Sequence, residues 1–407
     1  MSFRVFYAAG PGDVIAAHGY WRRKEHCPTE VTITFSSQFE QFCEDIGAEA
    51  YIVAYHDRKG VSRDGDFTLE HRPKPMPRAR GVLFHLSELI YGLGLLATAL
   101  RFRADVAVID SGSTYYFVTS LFRLMGIRVV PVLHNTLWAH GFPPTKPIPR
   151  AILALEALFY RHVATAIIGV SPECNRQVVQ LTGDRHAPLF EIRAQFPRDY
   201  FARIPPAPPF ESRPFQIMFI GRVNRIKGVF DILEMARKIE ARAPGQVRWE
   251  ICGSGPDLEE TRRLHAEMGL QAIVNLRGWT PLDDLLEVYA RSHAAIVPTR
   301  STFIEGLAMT AAEAILAGRP VITNPVVPAL EILGPACVAA RTNDVDSYVE
   351  GILKLIGDRE YYESLRLACP GLGEQFYDRE QGLAAVLKRV IGPLQEKKLG
   401  KRVEAAV

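Results

Sequence analysis

Short apolar runs alternate with helix-like segments along most of the chain, and this alternation strongly limits the folds available to it. In the first half the runs lie at residues 3–9, 31–35, 51–55, 106–109, 129–133 and 166–170. Several are apolar at consecutive positions, which is typical of strands buried on both faces. Helix-like segments lie between many of them, for example at 81–100 and 148–163. The pattern predicts a parallel, doubly wound α/β sheet.

The alternation is interrupted once, by a proline-rich segment around residues 195–214 that suits neither a central strand nor a helix interior. It then resumes, with strands predicted at 216–220, 247–252, 273–276, 294–298 and 320–323. Helices are predicted at 229–242, 258–268, 282–289 and 307–316. A second Rossmann-like unit follows from that order. A chain of 407 residues, 48% of them hydrophobic, is long enough to bury two such cores.

Charge and cysteine content exclude some classes of protein. The 48 basic and 45 acidic residues nearly balance, so the net charge of +3 does not indicate a nucleic-acid partner. The six cysteines form no CxxC pair, which favours a reducing compartment. The N-terminus leads directly into a strand-like run, without the pattern of a signal peptide. We therefore expect a cytoplasmic protein.

A basic turn opens the second unit. Residues 219–228 read Phe-Ile-Gly-Arg-Val-Asn-Arg-Ile-Lys-Gly, so a strand ends at Gly221 and the turn carries Arg222 and Lys227 before the next helix. Guanidinium and ammonium groups supply positive charge, and the N–H groups at a helix N-terminus add donors. The turn therefore suits a diphosphate, although a basic turn after a strand is more often a solvated loop.

Two glutamates follow a later strand. Glu305 lies in the loop after residues 294–298, and Glu313 lies in the helix predicted at 307–316. If the intervening residues are mostly helical, the carboxylates are roughly 12 Å apart along the axis. That span suits one carboxylate at a sugar hydroxyl and one at a ribose, with the helix N-terminus facing the diphosphate. The alternative is two ordinary helix acids, one at the N-terminus and one facing solvent.

Together these motifs resemble glycosyltransferase family 4, the retaining GT-B enzymes also called group 1 glycosyl transferases. The resemblance covers nearly all of the second unit and is carried by residues 221–222, 227–228, 252–256, 276–279 and 317–322 with the two glutamates. It implies a GT-B architecture, with two Rossmann-like domains facing a central cleft. The implied domains are an acceptor domain at 1–195, a donor domain at 196–375, and a C-terminal helix within 376–407 that returns to the first domain.

The resemblance also implies a nucleotide-sugar co-substrate, no cofactor, and retention of anomeric configuration. The implied roles are diphosphate binding by Gly221, Arg222, Lys227, Gly306 and Leu307, donor-sugar contact by Glu305, ribose binding by Glu313, and base contact by Gly278 and Trp279. The chain departs from the family at Ala308, where a second glycine is common. There the alanine adds a methyl group close to the expected donor phosphate.

In the first domain, His134 directly follows the run at 129–133, at the carboxyl edge where α/β sheets build ligand sites. A lone histidine there is often structural. Its position matches the family's histidine near the donor sugar, so Glu305 and His134 are the expected catalytic residues. The loop with Gly10 and Gly12 resembles the family's glycine-rich turn and is expected to leave room for the acceptor.

Asp64-Gly-Asp66 and Asp344-Val-Asp346 have the spacing of a metal-binding Asp-x-Asp triplet. We interpret the first as a polar turn and the second as the start of a helix at 345–356, where acids cap. No metal site is therefore expected. The loops at 10–15 and 253–258 lack the third glycine of a dinucleotide fingerprint, which argues against a dehydrogenase.

The helix at 81–100 is long enough for a bilayer, at ~20 residues, but His85, Ser87 and Glu88 interrupt it and favour a core helix. Residues 72–104 carry six basic residues and one acid. Such a cluster beside apolar surface predicts attachment to an anionic membrane. The expected acceptor is a saccharide, a lipid or a lipid-linked saccharide.

Two other functions remain open. A nucleotide-sugar epimerase on the same scaffold needs the same cations and carboxylates but no acceptor, and incubation with nucleotide-sugars alone distinguishes it. A binding protein that kept the scaffold without turnover is the other. The presence of the five charged or titratable residues Arg222, Lys227, Glu305, Glu313 and His134 argues against that alternative.

Overall fold

The computed structural model describes residues 2–404, with backbone only at residues 399 and 401–404. The chain forms two compact units. The first contains residues up to Leu137, Pro144–Gln195, and the chain from Asp378 onward. The second contains Trp138–Pro143 and Phe196–Tyr377. Residues 138–143 therefore belong to the second unit, although the sequence placed them in the first.

The first unit is built on an eight-stranded sheet. Its strands are β1 (Arg4–Pro11), β2 (Glu49–Tyr55), β3 (Gly60–Asp64), β4 (Phe67–Arg72), β5 (Val106–Asp110), β6 (Arg128–Leu133), β7 (Ile167–Gly169) and β8 (Leu189–Glu191). They lie in the order β3-β4-β2-β1-β5-β6-β7-β8. All neighbouring strands are parallel except β3 and β4, which form an antiparallel hairpin.

Helices cover both faces of this sheet. They are α1 (Val14–Arg23), α2 (Phe35–Asp45), α3 (Val82–Phe102), α4 (Ser120–Leu124), α5 (Pro147–His162) and α6 (Pro172–Thr182). The chain crosses from β1 to β2 in one direction along the sheet, and from β4 through β8 in the other. Because parallel crossovers are right-handed, α1 and α2 lie on one face and α3 to α6 on the opposite face.

Two local predictions in the first unit were wrong or incomplete. The strand expected at 31–35 is absent: Ile33 makes only an isolated bridge to Gln195, and α2 begins at Phe35. Thr34 caps that helix by accepting the Ser37 N–H at 3.1 Å, an N-cap signal that an apolar run obscured. The β3–β4 hairpin was not predicted, because β3 is largely exposed and lacks an apolar run.

Glu156 of α5 has its carboxyl group buried inside the first unit. Its Oε1 accepts the backbone N–H of Tyr116 at 2.9 Å, and its Oε2 accepts that of Phe117 at 3.1 Å. These two residues begin the 3-10 turn Tyr116–Thr119 that leads into α4. Burial raises the pKa of Glu156 from 4.5 to about 8, against the smaller opposing effect of the two hydrogen bonds.

Substitution Glu156→Gln is expected to remove a pH dependence of stability. Between pH 4.5 and about 8 the unfolded chain is ionised while the folded chain keeps the proton, so rising pH lowers the free energy of unfolding. Between pH 5 and pH 8 the free energy of unfolding should fall by roughly 3 kcal/mol more in the native protein than in the variant. Urea unfolding at each pH measures this difference. The exposed α2 change Glu44→Gln is the control. The same dependence of the unfolding free energy on pH in the native protein and in Glu156→Gln would contradict the expectation.

The second unit contains a six-stranded, all-parallel sheet. Its strands are β9 (Phe215–Ile220), β10 (Val247–Cys252), β11 (Val274–Gly278), β12 (Ala294–Val297), β13 (Val321–Thr323) and β14 (Cys337–Ala339). The order is β11-β10-β9-β12-β13-β14, so the direction of chain progression reverses between β9 and β12. In open α/β sheets, ligands bind outside the carboxyl ends of the strands at such a switch point.

The helices of the second unit are α7 (Arg198–Ala202), α8 (Val229–Arg242), α9 (Leu258–Glu267), α10 (Leu282–Arg291), α11 (Met309–Leu316), α12 (Ala329–Leu333), α13 (Val345–Gly357) and α14 (Arg359–Gly373). Apolar side chains of the strands and of α8 and α13 form its buried core, with Trp249 among the largest. The last helix, α15 (Leu383–Glu404), belongs to the first unit and packs on α2, where the Leu383 N–H donates to Gln38 Oε1 at 2.8 Å.

Candidate functional site

The loops after β9, β10 and β11 meet at the carboxyl edge of the second sheet. The Gly221 N–H donates to the Cys252 carbonyl at 3.0 Å, and the Gly253 N–H donates to the Gly278 carbonyl at 2.7 Å. A Cβ on Gly253, whose φ is +139°, would lie 1.8 Å from the Gly221 carbonyl oxygen. Only glycine permits this approach of two backbones. The glycine-rich loop at 252–256 thereby determines the path of the basic turn.

The basic turn also packs on the loop that follows β12. Gly228 has a φ of +79°, and a Cβ there would lie 2.2 Å from the Pro298 carbonyl oxygen. The Arg300 N–H donates to the Ile226 carbonyl at 3.0 Å, and the Arg300 guanidinium pairs with Asp231 at 2.7 Å. These contacts hold residues 221–228 against residues 298–300.

Lys227 and Glu305 are in direct contact. The Lys227 Nζ lies 2.6 Å from Glu305 Oε2 and 4.1 Å from the centre of the Phe303 ring. The Thr299 hydroxyl donates to the same carboxylate oxygen at 3.1 Å. Glu305 is only 7% exposed, whereas Lys227 is partly exposed. Lys227 and Glu305 come from separate sequence motifs and were both predicted to bind the donor. In the structure they form one ion pair.

The N-terminus of α11 lies beside this pair. Gly306 and Leu307 are buried, and Ala308 adopts the left-handed conformation, with a φ of +71°, immediately before the helix begins at Met309. The Thr310 hydroxyl donates to the Ile220 carbonyl at 2.9 Å, which ties the helix start to the end of β9. Ala308 keeps the backbone conformation that glycine adopts most readily.

The structure corrects the estimated separation of the two glutamates. The helix starts at Met309 and not at 307, so only the step from Met309 to Glu313 is helical, and it rises about 6 Å. Glu313 is also not solvent-facing: it is 8% exposed and accepts a hydrogen bond from the Tyr289 hydroxyl at 3.1 Å. Burial, with the charge of Glu313, raises the pKa of Tyr289 well above its usual value.

Two residues expected to contact the donor, Arg222 and Trp279, are both exposed at the edge of this site. Arg222 is exposed directly after Gly221, with its guanidinium outside the buried part of the turn. Trp279 is 69% exposed and follows Gly278 at the end of β11. Gly221, Gly278, Arg222, Lys227, Glu305 and the start of α11 are therefore all on the carboxyl-end loops of one sheet.

A second cluster lies at the carboxyl edge of the first sheet. His134 follows β6 and places its Nε2 3.0 Å from Oδ1 of Asp110, the last residue of the adjacent strand β5. The Tyr7 hydroxyl donates to Asp110 Oδ2 at 2.5 Å, and the Gly10 N–H approaches the same oxygen at 3.4 Å. The His134 ring packs on Phe35, with centroids 4.3 Å apart. Burial, with the charge of Asp110, raises the pKa of Tyr7 well above its usual value.

Sequence reasoning identified His134 but missed Asp110, Tyr7, Thr299 and Tyr289. Asp110 had a usable signal, because it ends a continuous apolar run just as His134 follows one. The other three are single hydroxyl side chains within strands, helices or loops, and no local pattern distinguishes them from structural ones. Only the fold shows that they contact the predicted carboxylates or their neighbours.

The remaining predicted positions have local roles. The Gly12 N–H donates to the Tyr55 carbonyl at 3.2 Å, in the loop that leads into α1. Asp64 pairs with Arg22 at 2.9 Å, and Asp344 caps α13 by accepting the Ser347 N–H at 3.0 Å. Within residues 2–404, no group of three or more histidine, cysteine, aspartate or glutamate side chains is arranged to hold a metal ion.

The part of the chain that carries the Lys227–Glu305 pair matches a known family model. Residues 201–368 match the model of the Glycosyl transferases group 1 family, and we call this matched segment the group 1 domain. This group 1 domain lies within the second unit and includes the basic turn, both glutamates and α11. The match covers less than half of the 407 residues.

Similarity to curated proteins is low but extends beyond the group 1 domain. The chain is 24% identical over 274 residues to the glycogen synthase of Mycobacterium tuberculosis, which covers 65% of this chain and 63% of that protein. It is 26% identical over 150 residues to the D-inositol 3-phosphate glycosyltransferase of Corynebacterium urealyticum, covering 35% of each chain. The chain thus spans less than two thirds of the length of these relatives.

Solved structures show the same fold over the full length. Sucrose-phosphate synthase from Thermosynechococcus elongatus matches with a TM-score of 0.67, at 14% identity over 100% of both chains. The Anabaena protein HepE in complex with UDP matches with a TM-score of 0.65, at 15% identity over 98% of this chain and 100% of that one. The predicted α/β fold of GT-B type, with two parallel-sheet domains, is confirmed.

Proposed function

We propose that this protein is a retaining glycosyltransferase of family 4. It transfers a sugar from a nucleotide-sugar to a hydroxyl group of a saccharide, lipid or lipid-linked acceptor, in polysaccharide or glycolipid biosynthesis. The observation that carries the proposal is the contact between Lys227 and Glu305, next to the start of α11 and inside the group 1 domain. The Lys227 ammonium and the N–H groups at the start of α11 are suited to bind a diphosphate. The Glu305 carboxylate is suited to accept a hydrogen bond from a sugar hydroxyl.

The proposed mechanism depends on stabilising the charges that develop as the donor bond breaks. As the bond from the anomeric carbon to the diphosphate breaks, negative charge grows on the leaving group and positive charge grows on the sugar ring. Arg222, Lys227 and the N–H groups at the start of α11 stabilise the leaving diphosphate without a metal ion. The Glu305 carboxylate contacts the donor sugar, and Glu313 binds the ribose. The acceptor hydroxyl attacks from the face that the diphosphate leaves, which retains the anomeric configuration.

The first unit contains the proposed catalytic residue His134 and the proposed acceptor loop. The His134 ring lies at the end of β6, with its Nε2 3.0 Å from Asp110 Oδ1 and its ring packed on Phe35. The neighbouring loop with Gly10 and Gly12 is the proposed acceptor position. We propose a cytoplasmic protein that needs no cofactor other than its nucleotide-sugar co-substrate.

A thermal-shift screen of nucleotide-sugars tests the donor part of the proposal. UDP-glucose is the first candidate, because HepE has been solved with UDP-glucose. A donor at 100 times its Kd should raise the unfolding free energy by about 2.7 kcal/mol. Incubation of that donor alone and with acceptor mixtures then separates the alternatives. Transfer or slow release of free sugar supports a glycosyltransferase, an epimer indicates the other enzyme, and no shift with any donor contradicts the proposal.

A further inference from the structure

Helix α3 buries polar as well as apolar side chains, whereas its exposed side is almost entirely apolar. The buried positions include Ser87, Glu88 and Thr98. They bond to the chain that leaves β4: Lys74 Nζ lies 2.6 Å from Glu88, and Arg72 donates to Thr98 at 2.7 Å. Before residue 101, every exposed position of the helix is apolar, namely Val82, Leu83, Phe84, Leu86, Ile90, Leu93, Ala97 and Leu100. A helix that covers only a protein core has the opposite pattern.

The neighbouring helices extend this apolar surface. Tyr115 bonds to His85 of α3 at 2.6 Å, while Tyr116 stacks on Phe159 of α5, so the segment leading into α4 lies between α3 and α5 on one face of the sheet. The exposed apolar side chains of the two other helices and the loop after α4 are Leu121, Leu124, Met125, Ile148, Leu155 and Leu158. We call the outer surface of α3, α4 and α5 the α3–α5 face.

Charge on the α3–α5 face has one sign. The helices α3, α4 and α5 carry two acids, Glu88 and Glu156, and each is only 5% exposed. The exposed basic residues on and beside these helices are Arg78, Arg80, Arg101, Arg103, Arg123, Lys146 and Arg150. Of the six basic residues that the sequence grouped at 72–104, Arg72 and Lys74 are instead paired inside the unit with Glu70 and Glu88.

We propose that the α3–α5 face docks on the surface of an anionic lipid bilayer. Apolar side chains enter the boundary between headgroups and acyl chains, and the surrounding arginines contact anionic headgroups. A second copy of the chain is a poorer partner, because a two-fold interface would place these cations against one another.

Helix α3 does not cross the bilayer in this arrangement. By length and composition it is the one helix within residues 2–404 able to span a membrane. Its inner side is nevertheless held by Lys74, Arg72 and the N–H of Met76, which donates to the Ser87 hydroxyl at 3.1 Å. Leaving the sheet would break these bonds and expose buried Glu88 to lipid. The helix therefore lies in the plane of the membrane surface.

Vesicle flotation of the full-length protein tests the proposal. We expect binding to vesicles containing phosphatidylglycerol, weaker binding at high ionic strength, and none to pure phosphatidylcholine. The pair Arg78→Gln and Arg80→Gln should weaken binding about 25-fold, at about fivefold for each charge. The pair Leu83→Ser and Leu86→Ser should weaken it roughly tenfold or more.

Matched controls come from the second unit. Leu367 is 68% exposed on α14, and Arg248 is exposed on β10, so Leu367→Ser and Arg248→Gln should leave flotation unchanged. Thermal unfolding verifies that all variants are folded. No flotation with anionic vesicles at low ionic strength would overturn the proposal. So would unchanged binding of the leucine pair, or a dimer in light scattering that the leucine pair dissociates. Donor-induced thermal shifts measured without vesicles report on the proposed function separately.

Discussion

Replacing Arg222 with glutamine is expected to slow sugar transfer about 100- to 1,000-fold, because the leaving diphosphate loses a positioned cation. Stability should change little, since the Arg222 side chain is exposed. The measurement is the initial rate of transfer or donor hydrolysis, with the donor Kd determined separately. Lys227 is a less clean target, because its removal also breaks the ion pair with the buried Glu305 carboxylate.

Arg225→Gln is the control for Arg222→Gln. Arg225 lies three residues further along the same turn, is also exposed, and packs over the Phe230 ring at 4.4 Å. The two variants lose the same charge in the same loop. Equal losses of activity would mean that general positive charge matters and that Arg222 has no specific role, which would contradict the diphosphate assignment.

Replacing Gly253 with alanine is expected to lower the unfolding free energy of the second unit by about 3–4 kcal/mol and its Tm by roughly 10 °C. The added Cβ would lie 1.8 Å from the Gly221 carbonyl oxygen, so the basic turn must shift or the backbone must distort. Donor binding should weaken in parallel, because Arg222 and Lys227 lie on that turn. Calorimetry with and without the donor measures both effects.

Gly245→Ala separates steric contact from backbone strain. Gly245 also has a positive φ, of +68°, but an added Cβ would meet no described atom within 4 Å. That variant should lose only about 1–2 kcal/mol, and its donor affinity should not change. If Gly253→Ala and Gly245→Ala proved equally stable, the close packing of the two loops would not be the reason that glycine is required at position 253.

Most of the second unit was predictable because its strands are short, continuous apolar runs separated by amphipathic helices. The predicted strand at 247–252 and helix at 229–242 match β10 and α8 residue for residue. The same rule failed at 31–35, where an apolar run precedes an N-capped helix, and at the β3–β4 hairpin, where an exposed edge strand carries no apolar run.

At the candidate site, sequence motifs pointed to the charged residues but not to their partners. The basic turn and the acidic loop are 78 residues apart between Lys227 and Glu305, and only the order of β9 and β12 in the sheet places them in contact. The pairing of His134 with Asp110 likewise depends on β5 and β6 being neighbours. The separation of Glu305 from Glu313 was misjudged because a left-handed residue, Ala308, delays the helix.

Local pattern was therefore enough to predict the fold class and to select candidate site residues, because periodicity and glycine–cation motifs act over a few neighbouring residues. Tertiary structure decided which charges are paired and which are exposed. Arg72 and Lys74 pair with Glu70 and Glu88 of the same unit, while apolar side chains of α3 are exposed. Burial and pairing depend on residues distant in the chain, and the one-dimensional spacing of a motif contains no information about them.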